Sequence, residues 1–166
     1  IGTGDTVGLY MPMVPEIVSI MYGCFKAGAI AVPIFSGFGV DATATRIADS
    51  ECSVLFTGDG FLRRGSEIHL KQQADEAVAE AGHVEHTVVY SRLGHEAGSE
   101  AVPWTDRDEW WADAVATRDD AYETKSLPAD QLCMLLYSSG TTGKPKGIVH
   151  THAGGLVQPA KEMYFS

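Results

Sequence analysis

"TVGLYMPMVPEIVSIMYGCFKAGAIAVPIF", residues 6–35, decides the fold. Its first six residues read as a strand. After Pro15, the apolar side chains Ile17, Ile20, Met21, Cys24 and Phe25 recur at a spacing that puts them on one face of a helix. Gly28 is placed to end that helix in the left-handed region, and "AIAVPIF" then reads as a second strand. A strand, a helix and a strand in succession imply parallel strands joined by a helical crossover.

The same alternation continues outward. "DATATRIADS" (41–50) is a short helix, "CSVLFTG" (52–58) a strand, "HLKQQADEAVAEAG" (69–82) a helix closed by Gly82, and "HTVVYS" (86–91) a strand. The spacing predicts an α/β fold, a largely parallel sheet with flanking helices, whose ligands belong at the carboxyl ends of the strands. The charged and polar stretch 91–130 reads as a surface excursion containing one helix near residues 104–116.

The 166 residues are 45% hydrophobic, enough for one core of ordinary size, and contain no repeat or low-complexity tract. With 22 Asp plus Glu against 12 Lys plus Arg, the formal net charge is -10. That balance argues against nucleic-acid binding, which needs clustered cations, and it suits a protein kept soluble in high salt. No run approaches the length of a membrane-spanning helix. Cys24, Cys52 and Cys133 are odd in number and far apart, with neither zinc spacing nor a disulfide framework, so a reducing cytoplasm fits.

Function concentrates in "YSSGTTGKPKGIVH", residues 137–150. Glycines allow close backbone approach, hydroxyls and bare N–H groups donate hydrogen bonds, and lysines bring charge, so the stretch asks for a polyphosphate. It is not a P-loop of the NTPase kind. Ser138 occupies the first glycine position, and Pro145 stands where the magnesium-binding hydroxyl belongs. Proline also pushes Lys144 away from helix, and the following β-branched run gives strand, loop, strand.

Residues 138–147 match throughout the signature of the AMP-forming acyl-CoA synthetases and their adenylate-forming relatives: an apolar strand end, two small hydroxyl residues, Gly, two hydroxyls, Gly, any residue, Pro, Lys, Gly. Residues 4–38 resemble the early region of the acetyl-CoA and propionyl-CoA synthetase branch. The resemblance implies that residues 1–166 are a partial N-terminal AMP-binding domain, incomplete at both ends and without the C-terminal domain. It implies ATP, Mg2+ and CoA as ligands and a short-chain acid, acetate or propionate, as substrate. A long-chain or aryl acid ligase and a non-catalytic nucleotide-binding module are the alternatives.

On that resemblance Ser138, Ser139, Gly140, Thr141, Thr142, Gly143, Lys144 and Lys146 cradle the ATP phosphates. Thr141, Thr142 and Lys146 are its catalytic members, and Lys146 is the firmer of the two lysines. "GFLRRGSEIHLK" (60–71) resembles the stretch that faces the CoA 3′-phosphate: Arg63 matches the first family arginine, the second falls on Ser66, and Arg64 is the neighbouring substitute.

Other patterns receive plainer readings. "GFGVDA" (37–42) with Asp59 fits a dinucleotide pattern, but the segment after it is too short and hydroxyl-rich, so it reads as a turn and short helix. Asp59 itself reads as a loop acid. His150 and His152 would share a strand face, yet nothing nearby completes a metal set. Trp110 and Trp111 read as packed and half-exposed residues of one helix.

Overall fold

The computed structural model describes residues 1–139 and 143–165. Along the chain these form β1 (Thr6–Tyr10), α1 (Pro15–Ala27), β2 (Ile30–Pro33), α2 (Val40–Asp49), β3 (Val54–Gly58), β4 (Phe61–Arg63), β5 (Ser66–Ile68), α3 (Leu70–Ala81) and β6 (His86–Tyr90). There follow β7 (Asp108–Trp110), α4 (Trp111–Ala116), β8 (Leu132–Ser138), β9 (Lys146–Thr151) and α5 (His152–Phe165). One sheet has the order β7-β6-β3-β1-β2-β8-β9, and β4 with β5 makes a separate hairpin.

Every pairing from β7 across to β8 is parallel, and β9 closes the sheet antiparallel to β8. The chain passes from β1 to β2 on one side, then crosses to β3, β6 and β7 on the other, so the winding reverses around β1. In such sheets ligands bind at the carboxyl edge beside the reversal.

Alternation along β1 divides the core into two layers. Val7, Leu9 and Met11 pack under α1 with Ile20 and Cys24, joined by Trp111 at the start of α4. Tyr10 points the other way, with Val32, Ile47, Leu55, Leu70 and Val78 beneath α2 and α3. The helix ends follow the sequence signals: Gly28 and Gly82 take φ of 77° and 78°, the left-handed conformation that a Cβ disfavours.

The excursion departs from expectation. Residues 104–116 are not one helix, because residues 108–110 pair with β6 in the register Thr87↔Asp108 to Val89↔Trp110, and only residues 111–116 are helical. A buried ammonium explains the position. Lys71 of α3 is 0% exposed, and its Nζ reaches the Asp75 carboxylate at 2.6 Å, the Pro103 carbonyl at 2.9 Å and the Asp108 carboxylate at 3.2 Å. Satisfying that charge pins residues 103–108 against α3 and delivers Asp108 to the free edge of β6. Trp110 therefore lies on a strand, stacked 4.6 Å from Trp104, while Trp111 opens α4 edge-on to Phe56.

Among the described residues no helix is long and apolar enough to cross a membrane.

Candidate functional site

Strand β8 runs parallel to β1 and β2, so its last residue, Ser138, emerges at the carboxyl edge of the sheet. There the chain reverses and returns as β9, with Ser138 opposite Lys146 and Tyr137 opposite Gly147. Ser138 and Lys146, which bracket the glycine- and hydroxyl-rich stretch, are thus held together as a strand pair. Of the residues expected to cradle phosphates, Gly140, Thr141 and Thr142 lie outside the described residues. Ser139, Gly143, Lys144 and Lys146 are exposed, and Gly143 has φ of 85°, a left-handed turn that suits glycine. Neither Lys144 nor Lys146 forms an ion pair with a carboxylate among the described residues. Two unneutralised ammonium groups at one loop are what a polyanion needs.

Beside the loop opens a cleft of about 380 Å³ lined by Asp41, Thr45 and Arg46 of α2 and by Ser139, Gly143 and Pro145. Next to Ser138 on β8, the Tyr137 hydroxyl donates to Asp49 Oδ2 at 2.6 Å. Burial, with the Asp49 carboxylate next in importance, pushes the Tyr137 phenol well above its usual range, so it stays protonated and donates.

The arginines sit on the hairpin that follows β3. Arg64 and Gly65 form its two-residue turn with φ of 52° and 83°, both left-handed as tight hairpins require. Arg63 lies directly across from Ser66, so the two positions singled out for the CoA phosphate are cross-strand neighbours. Arg64 instead occupies the tip. Both arginines are exposed. The hairpin and the loop leave the same edge of the sheet, and β1 and β2 lie between their parent strands. Three strand steps make that separation about 14 Å.

Asp59 is a loop acid, between β3 and β4, and the structure adds that it is buried. It is 0% exposed and accepts hydrogen bonds from the backbone N–H groups of Gly60, Arg92, Leu93, Gly94 and His95. That carboxylate fastens the hairpin's base to the loop after β6, and His95 Nε2 lies 3.3 Å from Glu67 on β5. With its oxygens so engaged, Asp59 has no part as a ribose acid of a dinucleotide site. The signal available in the sequence was an aspartate between two glycines at a strand's carboxyl end, where backbone can wrap around a side chain.

The histidines separate. His150 lies on β9, whereas His152 begins α5 and meets the Phe25 ring edge-on at 5.9 Å. Among the described residues no group of three His, Cys, Asp or Glu side chains is placed to hold a metal.

The family described as AMP-binding enzyme matches residues 1–166. The acetyl-coenzyme A synthetase of Streptomyces coelicolor is 45% identical over 158 residues, which is 95% of this chain and 24% of that protein. The acetyl-coenzyme A synthetase of Methanothrix thermoacetophila is 44% identical, over 95% of this chain and 23% of its own length. Among solved structures, acetoacetyl-CoA synthetase from Streptomyces lividans superposes with a TM-score of 0.86 at 28% identity, covering 98% of this chain and 24% of that one. The chain spans about a quarter of the length of these relatives. With its strand–loop–strand at the sheet edge and the match along its whole length, the chain belongs to the AMP-binding enzyme family.

Proposed function

We propose that residues 1–166 are part of the N-terminal AMP-binding domain of an acyl-CoA synthetase that activates a short-chain acid, acetate or propionate. In the first half reaction a carboxylate oxygen attacks the α-phosphorus of MgATP. The bond to the bridging oxygen of the β-phosphate breaks and pyrophosphate leaves. In the second, the CoA thiol gives up its proton and attacks the acyl carbon, and AMP leaves. Negative charge builds on pyrophosphate in the first step, so positioned cations and hydrogen-bond donors at the β- and γ-phosphates accelerate it. Lys146, Lys144 and the hydroxyls of Ser138, Ser139, Thr141 and Thr142 take that role, with Gly140 and Gly143 letting the backbone approach. Arg63 takes the CoA 3′-phosphate, about 14 Å along the same edge.

The observation that carries this reading is the loop mouth, where Ser138 and the exposed, unneutralised Lys146 face each other at the carboxyl edge of the sheet. The identity to acetyl-coenzyme A synthetases supports a small acid, and three well-separated free cysteines suit a reducing cytoplasm. In the full-length protein, Lys146→Ala is expected to lower acetate-dependent ATP/pyrophosphate exchange about 10- to 1000-fold, the scale of losing one charge stabiliser. An unchanged exchange rate removes Lys146 from the mechanism. Exchange driven by a long-chain or aromatic acid but not by acetate or propionate overturns the substrate class.

A further inference from the structure

One face of α2 grips the strand that leads into the loop. Arg46 is 7% exposed, and its guanidinium lies 4.2 Å from the centre of the Phe38 ring and 5.7 Å from that of Tyr137. Its Nη1 donates to the Ala42 carbonyl, while Nε is buried without a hydrogen-bond partner among the described residues. One turn further along α2, Asp49 takes the Tyr137 hydroxyl. On its other side the Tyr137 ring covers Gly147 of β9: a Cβ built there would lie 3.6 Å from the ring and 3.0 Å from the Leu135 side chain. Tyr137 is therefore held between α2 and the returning strand, one residue below the Ser138/Lys146 pair that forms the mouth.

We propose that Tyr137, faced by the Arg46 guanidinium and latched by Asp49, is a positioning residue that sets the place and orientation of the Ser138/Lys146 pair for the ATP phosphates. The proposal rests on the reading of the loop as the phosphate cradle. Its physical basis is rigidity. Strands β8 and β9 are tied to each other by an antiparallel ladder that ends at Ser138↔Lys146, but β8 joins β2 only at Ala31↔Met134 and β9 is an edge strand with Ile148 and Val149 exposed, so sheet hydrogen bonds fix the mouth weakly relative to the rest of the sheet and to α2. A phenol tied to a helix supplies the missing restraint, because misplacing a charge by a fraction of an ångström weakens its effect on a developing anion.

The experiment uses the full-length protein and reads KM for MgATP, KM for CoA and melting temperature in Tyr137→Phe, Asp49→Ala and the double variant, with Lys146→Ala alongside. Phenylalanine keeps the ring and its packing, so folding is preserved while the latch is lost. Each single variant is expected to raise KM for MgATP about threefold to tenfold, the scale of one ordinary net hydrogen bond, with KM for CoA unchanged. The double variant is expected to match the singles, since both remove the same bond. Arg46→Lys, which keeps the charge but not the planar guanidinium, is expected to raise KM for MgATP as well.

A Tyr137→Phe protein with the parent's KM for MgATP while Lys146→Ala is impaired overturns the latch and leaves the cradle standing. Equal changes in both KM values that follow the loss in melting temperature reduce Tyr137 to a structural residue and also overturn it. Lys146→Ala with the parent's exchange rate and MgATP KM overturns the cradle, and the latch falls with it.

Discussion

A carboxylate can be buried without a cation when backbone amides point the positive ends of their dipoles at it, and Asp59 is held in this way by the N–H groups of residue 60 and of residues 92–95. The arrangement asks for two acceptor oxygens and no donor. Asp59→Asn keeps the shape but turns an NH2 toward amides that also donate. Stability is expected to fall by about 2–5 kcal/mol, from lost charge-assisted bonds and newly unsatisfied donors, as read by urea denaturation. A variant as stable as the parent would mean that the amides find other acceptors. Lys71 is the complementary case, a cation satisfied by Asp75, Asp108 and a carbonyl. Neither role was legible in the sequence, since apart from the local partners Gly60 and Asp75 every partner lies 32 to 37 residues away in the chain and the identity of an acid or a lysine does not report burial. The loop stood out in the sequence because nine of the ten positions 138–147 each restrict the residue type.

At the scale of elements, the β4–β5 hairpin carries a consequence for CoA. Its two-residue turn places Arg63 opposite Ser66, with Cβ atoms about 5 Å apart, while Arg64 projects from the tip. One guanidinium therefore stands where the resembled pattern has two. In the full-length protein Arg63→Ala is expected to raise KM for CoA about tenfold and leave pyrophosphate exchange intact, and Ser66→Arg to lower KM for CoA severalfold by setting a second guanidinium beside the first. Neither change should affect dephospho-CoA. If Ser66→Arg improved dephospho-CoA equally, the hairpin would not face the 3′-phosphate. The longer elements were readable from period alone: α1, α3 and the strands β1, β3 and β6 fall within one or two residues of their expected bounds. The hairpin and β7 were not. Three residues complete too little of any period, and at residues 108–110 the strand arises from the free edge of β6 and the buried Lys71 charge rather than from local propensity.

For the molecule as a whole, burial keeps the interior thiols and phenols neutral, the buried Asp59 and Lys71 keep their charges through the partners described above, and the chain as a whole is strongly anionic. Burial raises the Cys24 thiol to about 11 and also lifts Cys52, Cys133 and Tyr10 above their ordinary values. The direction of the linkage follows. An unfolded Cys24 loses its proton near pH 8.5 to 9, whereas the folded one holds it until about pH 11, so across that window the unfolded state binds fewer protons and stability falls as pH rises. Below the window the thiol is neutral in both states and its contribution is constant. The amount is about 1–3 kcal/mol, lost between roughly pH 9 and 11. Self-repulsion adds in the same direction, because a chain already at -10 gains further negative charge as tyrosines and lysines titrate. Cys24→Ala separates the two contributions: it removes the thiol from beneath α1 and leaves the net charge at neutral pH untouched. Its stability at pH 7 is expected to drop slightly from the small cavity, while its decline from pH 9 to 11 becomes shallower than the parent's by the thiol's share. Urea midpoints measured at half-unit steps over that range provide the test. Parallel profiles for parent and variant would show that the thiol ionises alike in both states, and the alkaline loss would then belong to the surface charge alone.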